Sequence, residues 1–180
     1  MLSIDAALRG EAIAGRLRRL IFMSTLISKP EYMSSAASVL EIGVEDNNGV
    51  LEITLPCLLP KIDKKHRSDY LLEPLYYQLD IYAASHTLPI FQHCVVCFSH
   101  IYNENLPKQR IRDYDNLETK QILDVIMTYV MEDDTGLLCD VYNTTETGKA
   151  DCTCISVMDK GRFFSWLSNR ENRVKSISDF

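Results

Sequence analysis

The chain has 180 residues, 46% hydrophobic and 24% charged, with a formal net charge of -6 and a pI near 5.2. That hydrophobic content is ample for the core of one domain, while the acidic balance weighs against a protein whose main partner is a phosphate backbone at large. No run of 18 apolar residues excludes a spanning helix, and the amino terminus, with Arg9, Arg16, Arg18 and Arg19, reads as an amphipathic helix and not as a signal peptide, so the expectation is a soluble cytoplasmic protein with no membrane partner.

Residues 1–27 read as a helix with a mostly 3.6-periodic apolar stripe, and Ser28 with Pro30 restarts a second one that ends before Val39. Strands are predicted over Val39–Val44 and Val50–Leu55, joined by a turn whose Asn48-Gly49 is a strong hairpin signal. After Pro60 comes the densest basic stretch, Lys61, Lys64, Lys65, His66 and Arg67, readable as a solvated loop or as a phosphate contact. A helix follows from Ser68 to about Ser85, then a strand over Phe91–Tyr102.

That strand carries His93-Cys94-x-x-Cys97-x-x-His100, but strand parity sends Cys94 and Cys97 to opposite faces, which argues against zinc. The six cysteines are read as small buried thiols, without disulfides in a chain lacking a secretion signal. Cys152 and Cys154 share a strand face with no obvious partner.

The loop Asn103–Arg112 delivers Lys108, Arg110 and Arg112 to Asp113 and Asp115. These cations either neutralise the carboxylates or approach a phosphate. Asp115 with Glu118 forms a capping-box pattern that predicts a helix opening at Asn116. The β-branched and aromatic Thr128-Tyr129-Val130 predicts that this helix stops near Met127 and that the chain doubles back as a strand. Asp133 or Asp134 would then return to Asp113 and Asp115, completing three carboxylates of the kind that grip Mg2+. Strands over Leu137–Asn143 and Asp151–Met158 are expected as an antiparallel pair around Thr147-Gly148, before a short helix with Trp166.

Asp113-x-Asp115-Asn116-Leu117, Lys120, Asp124 and the Asp133-Asp134 pair, together with Leu51–Pro56 followed by Pro60 and a basic loop, resemble the RusA-type Holliday-junction resolvases over about residues 50–158. The resemblance implies an α+β fold, a mixed sheet of five or six strands flanked by helices in the order β-α-β-α-β-β. It divides the chain into an unmatched helical and hairpin extension, 1–48, and a RusA-like domain, 49–180. It also implies a Mg2+-dependent endonuclease of a phage or mobile element, dimeric and acting on branched DNA. In that reading Asp113, Asp115 and Asp134 bind the metal, Lys120 assists catalysis, and Lys61, Lys64, Lys65, Arg67, Lys108, Arg110 and Arg112 contact DNA. Lys120 departs from the family spacing by one position, a rotation of about 100° on a helix.

Two other readings stand beside it. Each residue has a structural role available: aspartates cap helices, Lys120 and Asp124 are spaced for a surface ion pair, and Asp133-Asp134 precede a turn at Gly136. The second functional reading is a non-enzymatic binder whose Glu118, Asp124, Glu132, Asp133, Asp134 and Asp140 occupy the basic groove of a nucleic-acid-binding defence nuclease, in the manner of an anti-CRISPR inhibitor.

Overall fold

The structure is a computed structural model that describes residues 28–62 and 69–170, together with Ile13 and Leu17, both helical. The rest of the helix expected over 1–27, the basic residues Lys64, Lys65, His66 and Arg67, and the end of the chain from 171 lie outside the described residues.

Ser28 opens α1 (Lys29–Leu40) as expected: its N–H and hydroxyl donate to Glu31 Oε2 at 2.9 and 2.8 Å, and the Glu31 N–H donates back to its Oγ at 3.4 Å. The helix continues through Val39, correcting the strand expected to begin there. Glu41, in the left-handed region at φ 53°, is what turns the chain out of it. Strand β1 (Gly43–Asp46) and β2 (Val50–Leu55) follow as the predicted hairpin. Asn48 and Gly49 both have positive φ, 56° and 81°, which matches the twist of the strands they join. The division placed between residues 48 and 49 falls inside this turn, and Ile42 and Val44 are buried in the same core as β2.

The remaining elements are α2 (Asp69–Ser85), β3 (Cys94–Asn103), α3 (Lys120–Val130), β4 (Cys139–Gly148), β5 (Cys152–Asp159) and the short α4 (Phe163–Ser168). From β2 to β5 the order is β-α-β-α-β-β, and the fold is α+β around a mixed five-stranded sheet. The sheet order is β1-β2-β5-β3-β4, antiparallel except for the parallel pair of β3 and β4. Strands β4 and β5 therefore do not pair with each other, contrary to the sequence reading, because β3 lies between them. Burial explains the placement. Strands β3 and β5 are buried on both faces along nearly their whole length and need neighbours on both sides, whereas Thr144-Thr145-Glu146-Thr147 suits β4 to an edge.

One face of the sheet packs Leu51, Ile53, Leu55, Cys94, Val96, Phe98, Ile155 and Val157 against Leu71, Leu75 and Leu79 of α2 and Ile122, Ile126 and Val130 of α3. The other packs Val50, Val95, Cys97 and Met158 beneath Trp166 of α4. The alternation along β3 is that of a strand buried on both sides, and Cys94 and Cys97 face opposite ways as the parity required.

Candidate functional site

The Asp113–Lys120 segment does not begin a helix at Asn116. Residues Tyr114–Asn116 form a single 3-10 turn, and the chain then pairs with the exit of β2: Lys61 bridges Leu117, the Ile62 N–H donates to Asn116 O at 3.0 Å, and the Glu118 N–H donates to Pro60 O at 2.9 Å. Those long-range backbone bonds, with Leu117 only 2% exposed, override the local capping signal. Glu118 still caps, but for a helix starting four residues later: its buried carboxylate accepts from the Gln121 N–H at 3.2 Å. At the other end the helix stops at Val130, within three residues of Met127 as expected, but Thr128-Tyr129-Val130 belongs to it and is not a strand. Val130 is fully buried against the sheet and the Tyr129 hydroxyl donates to Asp80 of α2 at 2.7 Å, so tertiary packing decides.

This correction separates the carboxylates. Helix α3 is the crossover between two parallel strands, and such a connection returns the chain to the end from which the first strand started. Asp113 and Asp115 precede the crossover and flank Tyr114, whose hydroxyl accepts from Thr145 Oγ1 at 3.0 Å. Asp134 follows it, next to Thr135, whose carbonyl accepts from the Cys139 N–H at 2.8 Å. Cys139 and Thr145 lie six residues apart on β4, roughly 20 Å at ~3.3 Å per residue. Asp134 thus sits at the opposite end of the sheet from Asp113 and Asp115, and the three do not fit a shared Mg2+. Among the described residues no three His, Cys, Asp or Glu are placed to hold a metal ion. Lys120, expected to be catalytic, is 78% exposed and pairs with Asp124 at 3.3 Å, one helical turn on.

The cations near Asp113 are largely committed to the fold. Arg110 grips Asp151 through both guanidinium arms, one at 2.6 Å, and its charge lies 5.5 Å over the Tyr102 ring. The hydrogen bond from Arg110 holds the Asp151 carboxyl below its ordinary range. Arg112 donates its side chain to Leu59 O at 3.1 Å and its N–H to the Tyr102 hydroxyl at 3.1 Å. Lys61 and Lys108 are exposed, and Lys108 borders a cavity of about 270 Å³ shared with Tyr102, Leu106, Arg110, Ile111 and Thr147. Asp151 escaped the sequence reading. The only signal for it was a carboxylate immediately before a buried strand.

His100, read only as a poor zinc candidate, is fully buried between Phe98 and Tyr114, with ring centroids at 6.4 and 5.7 Å. Its Nε2 lies 3.1 Å from Asn143 Oδ1, while its buried Nδ1 has no partner among the described residues. Burial pulls its pKa below the ordinary imidazole value, against the Asn143 bond.

The opposite end of the sheet is acidic. Glu132 and Asp133 are exposed, Asp134 is half-buried, and exposed Asp140 pairs with Lys160 at 2.9 Å. Between them Leu137 is 85% exposed at the lip of β4. Of the acidic groups assigned to a binding surface, Glu118 is buried and so leaves it. The cysteines are all thiols. Cys152 and Cys154 share one face of β5, and Cys94 and Cys139 are register partners in β3 and β4.

No helix among the described residues is long and apolar enough to cross a membrane. No curated protein matches the chain. Among solved structures, the periplasmic domain of Helicobacter pylori MotB is similar at 10% identity, over 73% of this chain and 88% of that one, with a TM-score of 0.37. That likeness is too distant to carry an argument about fold or function. A model of a family of unknown function (DUF6100) matches residues 1–180, and the chain belongs to that family.

Proposed function

We propose that this chain is a non-enzymatic cytoplasmic binding protein, which presents the acidic end of its sheet to the basic, nucleic-acid-binding groove of a partner protein such as a defence nuclease. The observation that carries this reading is the crossover through α3. It places Asp134 far from Asp113 and Asp115, so the carboxylates that would serve a metal-dependent nuclease do not converge. It also gathers Glu132, Asp133 and Asp134 beside the exposed Leu137, and an apolar contact rimmed by one sign of charge suits a cationic protein surface. A net charge of -6 supports the same direction, since like charge repels a phosphate backbone.

The test sets this reading against a RusA-type nuclease. Purified protein is incubated with synthetic four-way junctions and Mg2+ or Mn2+, and separately titrated against an RNA-guided nuclease whose DNA cleavage is followed. The expected result is no junction cleavage, together with inhibition that weakens about tenfold or more when Glu132 and Asp133 are both reversed to Lys. Reversing Asp113 and Asp115, at the other end, leaves inhibition intact. Junction cleavage abolished by Asp115→Asn would overturn the proposal in favour of the nuclease.

A further inference from the structure

Two thiols stand side by side at the acidic end of the sheet. Cys94 and Cys139 are register partners across the parallel pair, the first residues of β3 and β4. Adjacent strands lie about 4.8 Å apart, inside the Cα separation of roughly 4.4–6.8 Å that a disulfide spans. Both side chains enter the helix-covered core and so point to the same face.

We propose that Cys94 and Cys139 are an oxidation site, which closes to a cross-strand disulfide on exposure to hydrogen peroxide and reopens with a dithiol reductant. The simpler account is two small buried hydrophobes packed by chance in neighbouring strands. What distinguishes this pair is its placement: the two thiols open neighbouring strands in register on one face of the sheet, and Cys139 lies nearer the surface, 5% exposed against 1% for Cys94. The Cys139 thiol beside it, with burial, raises the Cys94 pKa above the thiol range. Lys160 favours the Cys139 thiolate, while burial, Asp134 and Asp140 oppose it. Cys97, three residues along β3 on the other face, has no such thiol beside it, and burial pushes it up to about 12. Cys139, on the edge strand and the more accessible of the two, is the attacking sulfur and Cys94 the resolving one.

Position gives peroxide a way in. Cys139 is the first residue of an edge strand and follows a turn containing Gly136, around which a Cβ would meet nothing within 4 Å. In the first step the Cys139 sulfur attacks one peroxide oxygen. An S–O bond forms, the O–O bond breaks, and the departing hydroxide leaves as water with the thiol proton. In the second the Cys94 sulfur attacks the sulfenic sulfur. The S–S bond forms, the S–O bond breaks, and the hydroxyl leaves as water with the Cys94 proton. Two thiols lose two electrons in all, and one peroxide gains them.

The second thiol pair is a built-in comparison. Cys152 and Cys154 are two residues apart on one extended strand, a separation of about 6.6 Å along the backbone, at the far limit of disulfide geometry. Their bridging would require the strand to buckle.

The experiment treats the full folded chain with hydrogen peroxide, blocks remaining thiols, and maps peptides without reduction. A mass lower by about 2 Da and a cross-linked peptide joining Cys94 to Cys139 are expected, both reversed by dithiothreitol. The cross-link survives Cys97→Ser, which resolves the two cysteines of that peptide. It disappears in Cys94→Ala, where dimedone instead captures sulfenic acid at Cys139. If Cys94→Ala does not fold, the wild-type and Cys97→Ser maps decide alone. Bridging between Cys152 and Cys154 only, intermolecular dimers only, or an unchanged thiol count in folded protein would each overturn the proposal.

Discussion

Both ends of the sheet carry charged groups and use them differently. At the end where β3 finishes, three of the charges are turned inward to hold the chain together. Arg110 clasps Asp151, Arg112 binds the Leu59 carbonyl, and Glu118 serves the first turn of α3. At the end where β3 begins, Glu132 and Asp133 face solvent beside an exposed leucine. Charge counts along the sequence treat these ends alike. The difference teaches that a cation beside carboxylates marks a ligand site only when the backbone leaves it uncommitted.

The largest expected effect breaks the comparison at its apolar anchors. Leu117 is 2% exposed where its loop meets β2, and Leu137 is 85% exposed at the opposite end. Leu117→Ala should cost about 2–5 kcal/mol of unfolding free energy, by lost burial and a cavity beneath the loop. Leu137→Ala should stay within about 0.5 kcal/mol. Urea denaturation of the two variants measures both. Equal costs would mean that Leu137 is not the solvent-facing residue described, and that the acidic end is organised by packing as the other is.

Much of the fold was legible in the sequence. The Asn48-Gly49 hairpin, the Ser28 cap, strand β2 and the opposite facing of Cys94 and Cys97 on β3 each rest on local chemistry or strand parity, and each is present. The site was less legible, because it turned on where one helix begins and ends. Glu118 has the same capping chemistry whether it closes a box with Asp115 or serves Gln121, and only the backbone pairing of residues 116–118 with 60–62 selects the second. Thr128-Tyr129-Val130 favours a strand by intrinsic preference. Its burial against α2 and the sheet made it a helix, and with that choice Asp134 moved to the far end. Sheet order was similarly hidden. That β5 inserts between β2 and β3 depends on partners distant in sequence, to which periodicity is blind.

His100 sharpens the comparison through pH, with a smaller effect. It is fully buried at the inward-turned end, and its pKa is lowered by that burial. The unfolded chain binds a proton near the ordinary value of about 6.5 while the folded chain does not. Stability is therefore fully present above that pH and is lost as pH falls through it toward the lowered folded value. The slope approaches about 1.4 kcal/mol per pH unit at most. His100→Gln, which keeps a donor for Asn143, should flatten the unfolding free energy between about pH 6.5 and 5.5 while the wild type declines. Parallel curves for the two proteins would show that His100 takes up its proton in the folded state, and that this end is less tightly closed than the hydrogen bonds indicate.

The smallest effect concerns Lys120, the residue for which a catalytic part was expected. Its partner Asp124 is 47% exposed and Lys120 itself 78%, so water screens the pair on nearly every side. An ion pair of this kind, one helical turn apart, contributes about 0.3–0.5 kcal/mol and fades with added salt. A double-mutant cycle of Lys120→Ala and Asp124→Ala should return a coupling of that size at low ionic strength and none detectable in molar salt. The cycle discriminates because a lysine held ready for phosphate chemistry needs surroundings that restrict and desolvate it. A coupling well above 1 kcal/mol that persisted in salt would place Lys120 in such surroundings. The inward-turned end would then hold a reactive cation after all, and the contrast between the two ends would fail where the nuclease reading most needs it to.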